Sequence, residues 1–437
     1  MGVIDKVQDI FRIPELKRRI LFTVALLVVY RLGGHVPTPG VNSEALVAAF
    51  SSQSNTLFGL YDLFVGGSFA KATVFALGIM PYISVSIIFQ LLGAVVPYFE
   101  KLQKEGEEGR KKITQYTRVG TVALAAAQSF AFARFLESMG SGGAPVVPDP
   151  GMGFRLMTMV TQTAGTILIM WLGEQITERG IGNGISLIIF IGIVARFPAD
   201  AINTVRALRV GTLSPVVAAL MVIIFVLVIA AVVAMTQAQR KIPVQYAKRV
   251  VGRKMYGGQS THIPLRVNTA GVIPIIFAQS LIMLPSTLAL YFHGNAAIQA
   301  VAGWFQHGTW VYVVVYSLTI IFFTYFYTAI VLNPTDMADN MKKYGGFIPG
   351  IRPGRKTSEY IDRILSRITL PGAIFLALIA VLPDLLIARF NVPFYFGGTS
   401  VLIVVGVALD TLQQIESHLI MRHYEGFVST GRMRGRR

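Results

Sequence analysis

The feature that most constrains this chain is a series of long apolar runs separated by short polar segments. A helix of about 20 apolar residues crosses a hydrocarbon core roughly 30 Å thick. The composition agrees, because 53% of the residues are hydrophobic and 14% are charged, whereas soluble domains carry about 25% charged residues. The sequence therefore predicts an all-α membrane protein whose length divides into spans and loops.

Ten of these runs have the length of a transmembrane helix. The predicted spans are residues 20–37, 74–97, 117–136, 154–173, 184–204, 214–235, 268–291, 311–332, 369–388 and 398–417. Ten spans place both termini on one side of the membrane. Most of the 39 Lys and Arg residues lie in the segments on that side, which the positive-inside rule assigns to the cytoplasm. Two large basic loops, residues 236–267 and 333–368, and a basic C-terminal tail are therefore predicted to be cytoplasmic.

Charged residues are scarce within the predicted spans. Those near outer ends are Arg31, Arg134, Arg155 and Arg196. We expect their long side chains to reach the polar interface. Asp410 and Glu416 are the main acids inside a span, and Asp410 is either functional or a satisfied structural acid. A proton-coupled pump would need a richer set of buried acids, which counts against that class.

One apolar segment, Thr56–Phe69, is too short to span a membrane. Asp62 and the Gly66-Gly67 pair interrupt it. It is either an interfacial helix on the outer side or a re-entrant segment, which is tolerated at depth only inside protein or beside water. The sequence alone leaves both possibilities open.

Five spans in each half suggest an internal repeat, with halves at residues 1–205 and 206–437. Gly78-Ile-Met-Pro81 lies in the second span of the first half, and Gly271-Val-Ile-Pro274 lies in the second span of the second half. The two predicted spans run in opposite directions across the membrane. Matched spans interrupted by Gly and Pro in inverted halves indicate a central pathway, although a four-residue match is weak by itself.

Enzymatic motifs are not found in the sequence. Residues Gly350–Thr357 resemble a phosphate-binding loop, but Arg355 replaces the second glycine that this loop needs. The six His residues form no metal-ligand pattern, and the chain has no Cys. We therefore expect a protein that is not an enzyme and that binds no cofactor or metal.

Several longer motifs together resemble the SecY family of bacterial protein-conducting channels. They occur in the family's order, and the similarity extends from about Lys17 to Tyr424. The motifs are Gly78–Phe89, Trp171–Ser186, Gln259–Pro274, Phe347–Gly354 and Val392–Ser400. The resemblance implies ten helices in two inverted five-helix halves that hinge around an hourglass-shaped pore, with a lateral gate that opens to lipid.

The resemblance also implies how the resting pore is sealed. Thr56–Phe69 would be a re-entrant plug helix, with the apolar side chains Leu57, Phe58, Leu60, Tyr61, Leu63 and Phe64. A ring of bulky apolar residues at the waist blocks ions by dewetting. Matching motifs places this ring at Ile79, Ile83, Ile185, Ile189, Ile276 and Ile403. The i, i+4 spacing of the first two pairs is compatible with one helix face each, but packing or lipid contact is the ordinary role of such residues.

In this family the lateral gate lies between spans two and three on one side and spans seven and eight on the other. The gate candidates are Gln90, Gln128 and Asn268, which are polar residues in or at the ends of these spans. Hydrogen bonds between such side chains contribute about 0.6 kcal/mol each inside membranes. They could hold the gate closed until a signal sequence replaces these contacts. Alternatively, they could be ordinary contacts between helices.

The two large cytoplasmic loops would dock partners. The residues implied by the resemblance are Arg240, Lys241, Lys248, Arg249, Arg253, Lys254 and Arg352. Cations of this kind suit RNA phosphates, although they also fit charge that only sets topology. The resemblance implies that the ribosome and the ATPase SecA supply energy, and that small subunits of SecE and SecG type assemble with the chain.

The resulting prediction is a passive channel in the bacterial plasma membrane. It would translocate unfolded secretory preproteins with signal sequences and release transmembrane segments into the lipid bilayer. The alternative from another class is an inverted-repeat secondary transporter, which predicts a polar binding site at mid-membrane. A scaffold or lipid-handling protein is a third possibility.

Overall fold

The computed structural model describes residues 13–51, 61–62, 64–141, 144–212, 214–246, 249–251, 254–256, 260–283, 285, 289, 296–305, 309–390 and 398–430. The chain forms two compact units. The first comprises Met1–Arg209, Met283–His307 and Val407–Arg437, and the second comprises Val210–Ile282 and Gly308–Gly406. The two predicted halves, residues 1–205 and 206–437, stay a prediction.

Helices dominate the described residues. They are α1 (Pro14–Gly33), α2 (Ser43–Ser51), α3 (Met80–Val95), α4 (Pro97–Lys104), α5 (Glu107–Ser138), α6 (Met152–Arg179), α7 (Gly184–Val194), α8 (Phe197–Val210), α9 (Pro215–Gln237), α10 (Ile273–Ile282), α11 (Ala296–Trp304), α12 (Trp310–Val331), α13 (Pro334–Lys343), α14 (Arg355–Phe390) and α15 (Gly398–Thr430). The strands are β1 (Gly140–Ser141), β2 (Ala144–Pro145), β3 (Gln239–Tyr246), β4 (Arg249–Val251), β5 (Lys254–Tyr256), β6 (Ser260–Arg266) and β7 (Gly346–Phe347).

Within these described ranges, seven helical segments are long and apolar enough to cross a membrane. They are Glu107–Ser138, Met152–Arg179, Gly184–Val210, Pro215–Gln237, Trp310–Lys343, Arg355–Leu382 and Thr399–Leu419. The pair α3 and α4, bent by 96°, forms an eighth if it is counted as one span. These eight coincide with predicted spans two to six and eight to ten. The predicted helical membrane fold is confirmed, and the count of ten spans stays a prediction because α1 and α10 do not meet the same criterion.

The two Gly-x-x-Pro motifs have the same local structure. Gly78 has φ +56° and Gly271 has φ +62°, a left-handed conformation that favours glycine. In each motif the helix begins two residues after the glycine, with proline as its second residue. Proline is tolerated there because the first-turn N–H groups have no partner within the helix. The predicted start of the second span at residue 74 is therefore wrong, since residues 74–79 form turns and α3 begins at Met80.

The predicted fifth span, residues 184–204, consists of two helices, and Ala195 and Arg196 lie between α7 and α8. Pro198 lacks the N–H that a continuous helix would donate to the carbonyl of Val194. The helix therefore ends and restarts, and the break places Arg196 between two helical segments.

Helices α5 and α6 of the first unit are joined by ion pairs near both ends. Arg118 donates to both carboxylate oxygens of Glu174, at 2.9 Å and 2.8 Å. Near the other end, Arg155 contacts Glu137 at 2.7 Å, and the same carboxylate accepts the Gly151 N–H at 2.9 Å. Arg155 therefore pairs within the protein, whereas the sequence predicted only that it reaches the interface.

A hydrophobic core of the first unit lies beside the α5–α6 connection. Its buried members are Leu46, Phe69, Ala72, Ala76, Phe132, Ala133, Phe135, Leu136, Val146, Val147 and Phe154. The rings of Phe69 and Phe132 lie 4.8 Å apart. This core packs the turns that follow the predicted plug segment against α5 and the start of α6.

The first large loop of the second unit, predicted to be cytoplasmic, contains a sheet that the sequence reasoning did not predict. Strand β3 pairs antiparallel with β6 from Gln239 opposite Arg266 to Gln245 opposite Ser260, and its end pairs with β7. One face packs on α13 and α14. The buried residues of this core are Ile242, Val244, Leu265, Met341, Ile348, Ile361, Ile364 and Leu365. The sheet therefore connects the two large loops through a shared apolar core.

Close backbone packing at Gly165 of α6 generates a stability prediction. A Cβ atom there would lie 2.1 Å from the carbonyl oxygen of Val74, and overpacking of this kind costs about 1–3 kcal/mol. We expect Gly165→Ala to lower the midpoint of thermal unfolding of the detergent-purified protein. Gly153→Ala in the same helix is the control, because a Cβ there has no atom within 4 Å. Equal midpoints for the two variants would contradict the packing at Gly165.

Candidate functional site

The predicted plug segment is described from Tyr61 onward, except for Leu63. Leu57, Phe58, Leu60 and Leu63 lie outside the described residues. The Tyr61 hydroxyl donates to the Leu77 carbonyl at 2.7 Å, and Phe64 is buried. After Phe64 the chain forms turns as far as Ile79. We name Tyr61–Asp62 and Phe64–Ala72 the plug base.

The plug base contacts α7 through backbone atoms. A Cβ on Gly66 would lie 3.0 Å from both Cα and the carbonyl oxygen of Gly192, and a Cβ on Gly192 would lie 2.7 Å from the Phe64 carbonyl oxygen. Gly66 has φ +70° and Gly67 has φ +88°. The close approach of the plug base to α7 requires a left-handed turn and backbone without side chains. Glycine meets both requirements.

Two arginines predicted to reach the interface instead bind the plug base. Arg31 of α1 donates to the carbonyl of Gly66 at 2.9 Å. Arg196, at the break between α7 and α8, donates to a carboxylate oxygen of Asp62 at 2.8 Å. Sequence reasoning missed both contacts, because each joins residues far apart in the chain and no local pattern reports them.

The four ring candidates of the first unit lie on α3 and α7 or directly before α3. Ile79 and Ile83 are 4% and 3% exposed, and the Ile83 N–H bonds to the Ile79 carbonyl at 3.1 Å. Ile189 is 1% exposed. Ile185 is partly exposed and lies over Gly173 of α6, where a built Cβ would be 3.3 Å from its Cγ1.

The two ring candidates of the second unit lie near one helix contact. A Cβ on Gly406 of α15 would be 3.1 Å from the Val272 side chain, directly before α10. Ile276 is one turn from Val272, and Ile403 is one turn from Gly406. Each isoleucine therefore lies on the same helix face as the residue that makes this contact. Ile276 is 5% exposed and Ile403 is fully buried.

The predicted gate residues differ in their contacts. Gln90 is half-buried and donates to Ser86 of its own helix at 3.2 Å. Gln128 on α5 is also half-buried. The Oδ1 atom of Asn268, before α10, is buried and has no hydrogen-bond partner in the described part of the chain.

A further polar residue on α10 was missed from the sequence. Gln279 is 1% exposed, and its side-chain Nε2 is buried with no hydrogen-bond acceptor among the described residues. An amide in a predicted gate span could have been noticed as a polar residue in an apolar run. An unsatisfied buried donor costs about 1–3 kcal/mol, so Gln279 lowers the stability of the state described.

Three of the docking candidates have described side chains and are on the surface of the second unit. Arg240 and Lys241 are exposed on β3, and Arg352 is exposed in the turn before α14. The Arg352 carbonyl accepts a hydrogen bond from Thr357 at 2.9 Å, which fixes that turn. Arg249 and Lys254 belong to the β4–β5 hairpin, and Lys248 and Arg253 lie outside the described residues.

The glycine-rich part of the Trp171–Ser186 motif is a turn held by side chains of the first unit. Thr23 of α1 accepts the Ile181 N–H at 3.0 Å, and Gln414 of α15 accepts the Gly182 N–H at 2.9 Å. Asn183 caps α7 by accepting from two backbone N–H groups. Gly182 has φ +86°. The motif is therefore structural, and Thr23 and Gln414 are partners that the sequence reasoning did not identify.

Comparison with known proteins identifies the relatives of this arrangement. The SecY family model matches residues 73–412. The protein translocase subunit SecY of Aquifex aeolicus is 47% identical over 426 residues, which cover 97% of this chain and 99% of the relative.

Solved structures share the fold. One is a structure of the SecY protein whose plug domain stabilises the closed state of the translocation channel and maintains a membrane seal. It aligns with a TM-score of 0.62 and 17% identity over 91% of each chain. Another is Sec61 in the canine ribosome-channel complex from the endoplasmic reticulum, with a TM-score of 0.60 and 16% identity over 91% of each chain.

The buried amide of Gln279 generates a prediction about stability. We expect Gln279→Leu to keep or raise the thermal unfolding midpoint of the purified protein, because it removes an unsatisfied donor worth about 1–3 kcal/mol. Gln90→Leu is the matched control, since it removes a hydrogen bond to Ser86 from a half-buried residue. A midpoint for Gln279→Leu below that of Gln90→Leu would show that the Gln279 amide is satisfied.

Proposed function

Because this chain belongs to the SecY family of protein translocase channel subunits, we propose that it conducts unfolded secretory polypeptides across the bacterial plasma membrane and releases transmembrane segments sideways into lipid. The observation that carries the proposal is the 47% identity to a translocase subunit over 97% of this chain. The shared fold of solved channels supports it. The two halves would be inverted repeats, and their matching Gly-x-x-Pro helix starts support this.

The resting seal would consist of a plug and an apolar ring. A constriction of apolar side chains excludes ions because water does not fill it. Five of the six proposed ring residues, all except Ile185, are at most 5% exposed. This burial supports the ring, since isoleucines that face acyl chains would be exposed on the protein surface. The packing of the plug base on α7 supports the plug.

The lateral gate would use the polar residues of the second, third and seventh spans. These are Gln90, Gln128, Asn268 and Gln279. Asn268 Oδ1 and Gln279 Nε2 are buried with no partner among the described residues, which supports a gate role, because a state that satisfied them would gain hydrogen bonds. An arriving signal sequence would replace helix contacts at this gate.

Energy for transport would come from partners, since the chain itself would be neither an enzyme nor a holder of cofactors. The proposed partners are the ribosome, the ATPase SecA and small subunits of SecE and SecG type. The likeness to Sec61 of a ribosome-channel complex supports the ribosome. The exposed cations Arg240, Lys241 and Arg352 suit RNA phosphate or acidic protein surfaces. These loops would be cytoplasmic, as would both termini.

The ring generates a prediction on ion leakage and substrate contact. We expect Ile83→Ser to raise the ion conductance of resting channels in planar bilayers, because a polar side chain lets water enter the constriction. A photo-crosslinker at Ile83, Ile189 or Ile403 should capture a stalled secretory chain.

The control for the ring is Ile88 of the same helix, which is 51% exposed. Ile88→Ser should leave resting conductance unchanged, and a crosslinker at Ile88 should capture lipid and not the stalled chain. Equal conductance and equal capture at positions 83 and 88 would exclude Ile83 from the pore.

The docking loops generate a prediction on salt dependence. Replacing Arg240 and Lys241 by Gln should weaken ribosome binding to the purified channel. The slope of log affinity against log salt should fall by about 0.7–0.9 for each RNA phosphate that the variant no longer neutralises. Binding measured by co-sedimentation over a salt series tests this.

Lys104→Gln serves as the comparison for the docking variant. Lys104 is an exposed cation of the first unit that pairs with Glu100 at 2.6 Å. Its removal should leave the salt slope unchanged. A docking variant with the slope of Lys104→Gln would refute phosphate binding by Arg240 and Lys241.

A further inference from the structure

We propose that Arg196 is a positioning residue that holds the plug base in the closed channel through its ion pair with Asp62. The proposal rests on the proposed function, because it assigns a role within the plug. It adds a specific residue outside the plug, on the fifth span, that determines how readily the plug leaves its resting position.

Asp62 is built into the plug base by its two carboxylate oxygens and its carbonyl oxygen. Its side chain is 10% exposed and contacts Arg196 at 2.8 Å. The other carboxylate oxygen accepts the Ala70 N–H at 2.9 Å, and the Asp62 carbonyl accepts the Gly67 N–H at 2.9 Å. The carboxylate therefore closes the turn of the plug base on one side and ties it to Arg196 on the other.

Arg196 is placed for this contact by the break in the fifth span. Pro198 interrupts the helix, and Arg196 lies between α7 and α8 with its side chain 32% exposed. A second acid, Asp200, lies one helical turn farther along, and its backbone N–H donates to the Arg196 carbonyl at 3.0 Å. Residues four apart on a helix are neighbours, so Arg196 keeps an acidic neighbour on its own span when Asp62 moves away.

The ion pair adds a directional contact to tight backbone packing. Gly66 and Gly192 approach so closely that neither has room for a side chain, and Arg31 holds the Gly66 carbonyl at 2.9 Å. The plug base is thus fixed at two points, one on α1 and one at the α7–α8 break. Loss of one partner of a buried ion pair leaves an uncompensated charge and is strongly destabilising for the state that buries it. Removing Arg196 should therefore disfavour the closed channel.

The test uses the assembled translocon reconstituted in lipid, with Arg196→Gln, Arg196→Lys and the wild-type chain. Resting ion conductance of Arg196→Gln should rise by about tenfold or more. The same variant should translocate a preprotein with a weakened signal sequence better than the wild type does. Arg196→Lys keeps the charge and should restore most of the seal.

Arg155→Gln is the matched control. Arg155 pairs with Glu137 at 2.7 Å, and the side-chain exposures of 30% and 10% nearly equal the 32% and 10% of the Arg196–Asp62 pair. It lies in the same unit, and its partner Glu137 is on α5 and not in the plug base. Its removal should lower thermal stability without raising conductance or relaxing signal-sequence requirements.

The outcomes separate this inference from the proposed function. If the wild-type translocon transports preproteins and Arg196→Gln has the conductance of Arg155→Gln, the positioning role is refuted and the channel function stands. The same holds if Arg196→Lys leaks as much as Arg196→Gln. If the wild-type translocon transports no preprotein, the proposed function fails and the role of Arg196 fails with it.

Discussion

The structure depends on one constraint, which is that backbone polar groups in a membrane must find partners within the protein. Helices meet it internally. Among the described residues, irregular backbone in or beside the predicted spans includes the turns at residues 65–79, the Gly180–Gly184 turn and the break at Ala195–Arg196. At these places side chains supply part of the missing hydrogen bonds, as Thr23 and Gln414 do for Ile181 and Gly182. Irregular backbone therefore depends on neighbouring helices for hydrogen bonds. These contacts make the packing of the first unit specific.

Much of the fold followed from hydropathy alone, because apolar runs of span length have few alternatives. Hydropathy does not distinguish a helix from other buried backbone, however. Val74-Phe75-Ala76-Leu77 is apolar and forms turns, so α3 begins later than the apolar run. The break at Arg196 could have been predicted from Pro198. The cytoplasmic sheet also had a signal, since Ile242 and Val244 alternate with exposed residues in the pattern of a half-buried strand.

The candidate site was less accessible to sequence reasoning, because its contacts join distant parts of the chain. Asp62 and Arg196 are separated by 134 positions, and Arg31 and Gly66 by 35. Each arginine taken alone fits the ordinary expectation that it reaches the membrane interface. The isoleucines were difficult for a different reason. Any Ile in a span can have an ordinary packing role, so the residue type alone does not identify a pore residue. Resemblance to a family selected six of them, and the burial of five of these in the structure could not have been predicted from spacing.

Apolar and ionic contacts contribute differently to a resting seal of this kind. Apolar contact is non-directional and roughly proportional to area, so a ring of isoleucines excludes water but does not fix the position of a segment packed on it. An ion pair with defined geometry does fix position. Asp62 and Arg196 supply that geometry beside a contact between Gly66 and Gly192 that has no room for a side chain. Because both partners are charged, the contact is also the one most weakened by water, so in the proposed channel wetting of the pathway would loosen the plug base.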